Sequence, residues 1–213
     1  MDGGIPIFKN RKEAGDKLAI ALDKYRKEKP IVLAIPRGGV EIGYRVAMYL
    51  EAEMSLIVVR KLPFPDNPEA GFGAIAENGS TFIFPEAGNW LSGEEIQSIE
   101  EAQIAEIERR IDVLRSGEPL PDIEDRTVIL VDDGIAMGST MRAAIMLCKK
   151  KKAKKIVVAV PVTGRETAAK IGDLIDDMVV LEMPHQFYAV AQVYENWYDV
   201  PDFEVLEIMK MIE

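Results

Sequence analysis

Two adjacent carboxylates, Asp132 and Asp133, close the apolar run Val128-Ile129-Leu130-Val131. Gly134-Ile135-Ala136-Met137-Gly138-Ser139-Thr140 follows, and then a helical pattern begins. Acids delivered to the end of a buried strand can grip sugar hydroxyls or a metal ion. Gly134 and Gly138 let backbone approach a ligand closely. The amides from Ala136 to Thr140 can form an anion-binding concavity, reinforced by the dipole of the following helix. Ser139 and Thr140 add hydroxyl donors. A turn pair or a helix-entry acid is the plainer reading of two aspartates, and the glycine loop beside them shifts the balance towards chemistry. The stretch is not a Walker loop, because no Gly-Lys-Ser/Thr occurs in it, and two acids set it apart from the Gly-x-Gly-x-x-Gly dinucleotide fingerprint.

The surrounding chain alternates strand and helix signals. Asn10 with Glu13 resembles a helix cap, and Ala14, Leu18, Ala21, Leu22 and Tyr25 recur at helical spacing until Pro30. Residues 31–35 read as a buried strand broken by Pro36-Arg37-Gly38-Gly39, then residues 40–52 as a helix and 55–59 as a strand. From Lys61 to Gly79 the prolines at 63, 65 and 68 and the glycines at 71, 73 and 79 read as a long irregular connection, with at most a short strand near Ala74. Residues 81–84 form a further strand candidate. Ser92 with Glu95 gives a capping box, and the helix behind it carries Ile96, Ile99, Ile104, Ile107, Ile111 and Leu114 on one stripe. Then come strand 127–131, helix 139–152, strand 156–160, helix 165–176, strand 178–181, an aromatic tail from Pro184 and a short helix near 203–212. This alternation predicts an α/β fold with a mostly parallel central sheet flanked by helices.

Composition sets the bounds. The 213 residues, 48% hydrophobic and 29% charged, suit one domain. A net charge of -10 argues against a broad nucleic-acid footprint. No apolar run reaches the roughly 20 residues of a membrane span, and Met1-Asp2-Gly3-Gly4 lacks the pattern of a signal peptide, so the chain reads as cytoplasmic. Cys148 is the single cysteine, which excludes an intramolecular disulfide and a cysteine-rich metal site; it falls on an apolar helix face. The six lysines between Lys149 and Lys155 read as a solvated helix end, His185 as a turn residue, and Glu69 and Glu77 as surface acids.

Val128 to Thr140 closely resembles the phosphoribosyl-diphosphate signature of type I phosphoribosyltransferases, with Met137 where threonine is common. Ala34-Ile35-Pro36-Arg37-Gly38-Gly39-Val40 resembles the family's diphosphate loop. Val59-Arg60-Lys61, Asn67-Pro68-Glu69, Gly73-Ala74-Ile75-Ala76 and Arg109-Arg110 with Arg115 resemble a subgroup without an assigned acceptor. The resemblance covers the chain from about residue 6 onwards. It implies one domain over 1–213 with a long helical insertion at about 85–120 and a small hood at about 184–213.

By this resemblance Asp132 and Asp133 hold the ribose hydroxyls and Mg2+, which also bridges the diphosphate. Ala136, Met137, Gly138, Ser139 and Thr140 hold the 5-phosphate, and Arg37, Gly38, Gly39 and Lys61 hold the diphosphate. Catalysis would rest on Asp132, Asp133 and Arg37. The partners implied are phosphoribosyl diphosphate, a small acceptor such as a nucleobase, and a second copy of the chain, since such folds are usually dimers. Pro184 to Val190 resembles the hood of hypoxanthine-type enzymes, which makes Phe187 the candidate for stacking on the acceptor. Ala136 stands where some purine-salvage relatives carry an aspartate, and Pro161-Val162-Thr163-Gly164 has no base-selecting lysine. The alternative is therefore a sensor that binds the donor without transferring it.

Overall fold

A computed structural model describes residues 6–212; residues 1–4, read above for a leader, lie outside the described residues. In chain order, α1 (Arg11–Ala21), β1 (Ile31–Ala34), α2 (Gly39–Leu50) and β2 (Glu53–Leu56) lead into β3 (Val59–Phe64), β4 (Asn67–Ala76) and β5 (Thr81–Ile83). Then follow α3 (Gly93–Arg115), β6 (Thr127–Val131), α4 (Ser139–Lys150), β7 (Lys155–Val162), α5 (Arg165–Gly172), β8 (Asp177–Glu182) and α6 (Asp202–Lys210).

The apolar runs stack as a five-stranded parallel sheet in the order β2-β1-β6-β7-β8. Its central strands are buried on both faces, which is why they read as continuous apolar runs and not as alternating ones. The alternation shows in where the side chains go. Val32, Ala34, Ile129 and Val131 enter the core under α1, α2 and α6, while Ile31, Leu33, Val128 and Leu130 enter the core under α4. The expected parallel α/β architecture is present. Asn10 caps α1, its side chain accepting from the Glu13 amide at 2.9 Å, and Ser92 with Glu95 forms a reciprocal capping box on α3.

The stretch from Lys61 to Gly79 is not irregular. β3, β4 and β5 pair as an antiparallel three-stranded flap. Its prolines and glycines belong to the ladder: the register shifts around Pro63, and Gly71 leaves room for the Lys61 side chain crossing it. The flap packs on α4 and on α3. Along the α3 stripe, Ile107 and Leu114 are buried and Ile96, Ile99 and Ile111 pack against the flap core, whereas Ile104 faces outwards.

Glu77 is neither a surface acid nor open to a ligand. Its carboxylate accepts from Arg115 of α3 at 2.5 and 3.0 Å, and from the Val58 amide at 3.0 Å. The ion pair is buried, with side chains 5% and 7% exposed. It ties the end of α3 and the root of the flap to the edge of the parallel sheet, since Arg115 also donates to the Leu56 carbonyl. Among the described residues no helix is long and apolar enough to cross a membrane.

Within the lysine run, Lys152 pairs with Glu124 and Lys155 with Glu28. Cys148 is buried in the α4 core, and burial pushes its thiol up to about 12.

Two outcomes follow from these contacts. Removing one partner of a buried pair leaves an uncompensated charge, so Glu77→Ala should lose about 3 kcal/mol in urea denaturation, whereas Glu108→Ala on α3 should stay within about 0.5 kcal/mol. At pH 8 a thiol raised to about 12 remains protonated, so the native protein should resist a disulfide reagent. The unfolded chain, with an ordinary thiol pKa of about 8.5, should react with one equivalent.

Candidate active site

In an open parallel sheet, ligands bind beyond the carboxyl ends of the strands where the connections diverge. Here that point lies between β1 and β6, because the chain moves from β1 outwards to β2 and from β6 outwards to β7. β1 ends in Ile35-Pro36-Arg37-Gly38, and β6 ends in Asp132-Asp133. The Ile35 amide donates to the Val131 carbonyl at 2.9 Å, and the peptide between Pro36 and Arg37 is cis. A Cβ on Gly38 would lie 2.6 Å from the carboxyl carbon of Asp133, and one on Gly39 would lie 2.8 Å from the Val131 carbonyl oxygen. These two glycines are needed because the loops touch backbone to carboxylate.

The loop from Gly134 to Thr140 is clamped from below. The Ile135 amide donates to the Val162 carbonyl, and the buried Thr163 hydroxyl donates to the Ile135 carbonyl, both at 2.9 Å. The Thr167 hydroxyl donates to the Ala136 carbonyl at 3.0 Å. Gly138 sits at φ +83°, in the left-handed region open to glycine, and turns the chain into α4. The first backbone bond of that helix runs from Arg142 to Gly138. Among the described residues, no carbonyl accepts from the amides of Ala136 to Thr140. They form the open amino end of a helix, where an anion is favoured by both hydrogen bonding and the dipole.

The two aspartates are not equivalent. Asp133 is buried and accepts from the Arg11 Nε at 2.8 Å, with both side chains little exposed. Arg11 lies in a cage built by the tail: its guanidinium carbon is 4.1 Å from the centroid of the Trp197 ring, and it donates to the Tyr198 carbonyl at 3.0 Å. The Tyr194 hydroxyl donates to the Asp133 carbonyl at 2.7 Å, and burial holds that phenol well above its usual range, so it stays a donor. Asp132 keeps part of its surface open, and its Oδ1 accepts from the Asp133 amide at 2.8 Å. Poor solvation, followed by the charge of Asp133, pushes the Asp132 carboxyl well above the usual carboxylate range. Burial raises Asp133 too, against the opposing pull of Arg11. Arg11 thus pairs directly with Asp133, while its charge acts on Asp132 only at longer range and is outweighed there by poor solvation and the charge of Asp133.

Arg37 reaches Asp202 of α6 only at 3.5 Å and remains partly exposed. Arg60 of β3 joins it: burial pushes its guanidinium below the ordinary range, and the nearby charges of Arg110, Arg37 and Arg109 add to this, with Glu106 opposing. This cluster is a locally positive field beside the Arg37 loop in an acidic chain, and it would attract an anion. Lys61 is folded onto its own hairpin, its ammonium donating to the Glu69 carbonyl. Phe187 lines a cavity of about 310 Å3 with Ala136, Arg165 and His185. Sequence reasoning did not find Arg11, Tyr194 or Trp197, because nothing local marks them. Arg60 carried a signal in the Arg60-Lys61 pair.

The family model for the phosphoribosyl transferase domain matches residues 7–195.

This chain belongs to the phosphoribosyltransferase family.

A Mycobacterium tuberculosis protein named "Putative phosphoribosyl transferase Rv0571c" is 35% identical over 205 residues, which is 95% of this chain and 46% of that protein. The chain therefore spans about half the length of the curated relatives it matches. The crystal structure of TT1426 from Thermus thermophilus is similar over 95% of this chain and 97% of its own, with 34% identity and a TM-score of 0.79. The phosphoribosyltransferase resemblance read from the β6 motif and the Arg37 loop is thus established for most of the chain.

If Arg11 is the internal counter-ion of Asp133, the two should couple. Arg11→Met should cost about 3 kcal/mol by stranding a buried carboxylate. Arg11→Met combined with Asp133→Asn should cost clearly less than the sum of the single changes, by at least about 1 kcal/mol in a denaturation cycle.

Proposed function

We propose that this phosphoribosyltransferase moves ribose 5-phosphate from phosphoribosyl diphosphate to a ring nitrogen of a nucleobase, releasing diphosphate. The observation that carries this reading is the meeting of three features at one switch point: the open amides of 136–140, the Asp132 carboxyl, which makes no ion pair among the described residues, and the Arg37–Arg60 field. A phosphate, a sugar with its cation, and a diphosphate need those features in that order.

The residues fit a magnesium ion. Among the described residues, no three His, Cys, Asp or Glu side chains gather as a ready-made metal cluster. The cation would therefore rest on Asp132, on donor oxygens and on water, as suits a hard ion that keeps its hydration. When bound, it supplies charge neutralisation to the donor's diphosphate and ribose oxygens. Asp133, already paired with Arg11, is assigned to holding the loop and Asp132 in place.

The amides of Ala136 to Thr140, with the Ser139 and Thr140 hydroxyls, fix the 5-phosphate and so fix the ribose. Arg37, Gly38, Gly39 and Arg60 hold the departing diphosphate as negative charge develops on it. The bond from the anomeric carbon to diphosphate breaks towards a cation-like centre, and the acceptor nitrogen beside Phe187 closes the new bond, so positioning supplies much of the rate. Ala136 and Thr163 themselves carry no acid or base, so the groups of the Phe187 cavity that can exchange a proton with an acceptor are Glu166, which pairs with Lys170, and His185. The lack of an acid at Ala136, where some relatives carry an aspartate, motivates the second reading, a donor-binding sensor.

An acceptor screen with labelled donor and magnesium, reading diphosphate release, tests the proposal. Purine or pyrimidine bases should support release, and Asp132→Asn should lower kcat/KM at least about a hundredfold. Phe187→Ala should raise the acceptor KM about tenfold with little change in donor affinity. Donor binding without release for any purine, pyrimidine or amine would select the sensor. No donor binding at all would reject both readings.

A further inference from the structure

Met137 replaces the threonine common in the family signature, and its side chain goes to a place the proposed reaction does not use. It is 64% exposed and lines a cavity of about 860 Å3 between the tip of the flap and the start of α3. Adjacent residues of one loop therefore serve different spaces: Ala136 lines the Phe187 cavity, and Met137 lines this one.

The walls are aromatic. Phe64 meets Phe72 edge-on at 5.4 Å between centroids and Trp90 edge-on at 6.0 Å, and Phe84 adds a fourth ring. Phe72 is buried beneath, whereas Trp90 is 63% exposed and offers open ring surface to the cavity. Three carboxylates line the same cavity, Asp66, Glu86 and Glu95, and no lysine or arginine does. Glu95 is held ionised by the backbone amide of Ser92. An anionic ligand such as the donor would be repelled here. A cation with an apolar body matches both parts: ring faces attract an ammonium, carboxylates neutralise it, and the Met137 thioether gives a soft contact to an aromatic group.

We propose that this cavity is a binding site for an organic ammonium carrying an aryl or branched alkyl body, separate from the donor and acceptor subsites. It gives Met137 a role that a phosphate-facing threonine would not fill. It also places a ligand against the loop that takes the 5-phosphate.

Calorimetry on the full chain with 2-phenylethylammonium, without donor, tests the site independently of the proposed transfer. One molecule should bind saturably, at least about tenfold more tightly than 2-phenylethanol, and phenylacetate should give no heat. Asp66→Asn with Glu86→Gln, two exposed positions, should weaken the ammonium at least about fivefold, and Trp90→Leu should weaken it similarly. The proposal is overturned if the alcohol binds as well as the ammonium, or if no saturation is reached by about 10 mM. Unchanged affinity in the charge-removed variant also overturns it, as does a dimer seated on this cavity that the ammonium does not disperse.

Discussion

The buried pair between Arg11 and Asp133 holds the site together. Two carboxylates at the end of one strand cannot both stand charged and bare in a poorly solvated cleft. Arg11 resolves this for Asp133, and in doing so it binds three distant parts of the chain. The guanidinium comes from the first turn of α1, the carboxylate from the end of β6, and the cage from Trp197 and Tyr198 in the tail. The amino-terminal segment and the tail are joined as well, since Ile7 and Phe8 donate to the Val193 carbonyl and Glu195 donates to that of Phe8. What remains for a ligand is an asymmetric pair: one carboxylate committed to structure, the other open. A buried ion pair contributes little net stability against an apolar replacement, so its value here lies in fixing which acid faces the cleft.

The loop from Gly134 to Thr140 is the other organising element, and it works by exclusion. Thr163 and Thr167 use its carbonyls at Ile135 and Ala136, and no carbonyl among the described residues uses its amides from Ala136 to Thr140. Those donors are left open at the amino end of α4, where an anion would be favoured. On one side lies the Phe187 cavity and on the other the aromatic, acidic cavity behind Met137. The flap supplies Arg60 to the anion field and Phe64 and Phe72 to the second cavity, so one small sheet shapes both. Its attachment through Glu77 and Arg115 fixes the root from which both sets of side chains extend.

Local signals were legible, and long-range ones were not. The strand-acid-glycine-helix order of residues 128–140 is contiguous, so its placement at a strand's carboxyl end follows from sequence and the topology of parallel sheets. Capping at Asn10 and Ser92 was readable for the same reason. The flap was not, because Pro63, Pro65, Pro68, Gly71 and Gly73 are punctuation in a window, and only the tertiary fit explains them. Gly71 lies under the Lys61 side chain, and a Cβ on Gly73 would run into the backbone of β5. Glu77 looked like a surface acid because its partner is 38 residues away, and Arg11 went unnoticed because its partner is 122 residues away. No periodicity reports such pairs. Met137 stood out only as a departure from a pattern; the cavity it lines is formed by folding.

Donor recognition is proposed to divide between open amides at 136–140 and Asp132, which makes no ion pair among the described residues, with Asp133 held by Arg11. A crystal structure with phosphoribosyl diphosphate and magnesium tests this most directly. The account predicts the 5-phosphate on the amides of Ala136 to Thr140, the ribose and cation at Asp132, the diphosphate against Arg37 and Arg60, and the Arg11–Asp133 pair intact. A donor bound with Arg11 displaced and Asp133 turned onto the cation, or with its phosphate away from residues 136–140, would contradict it.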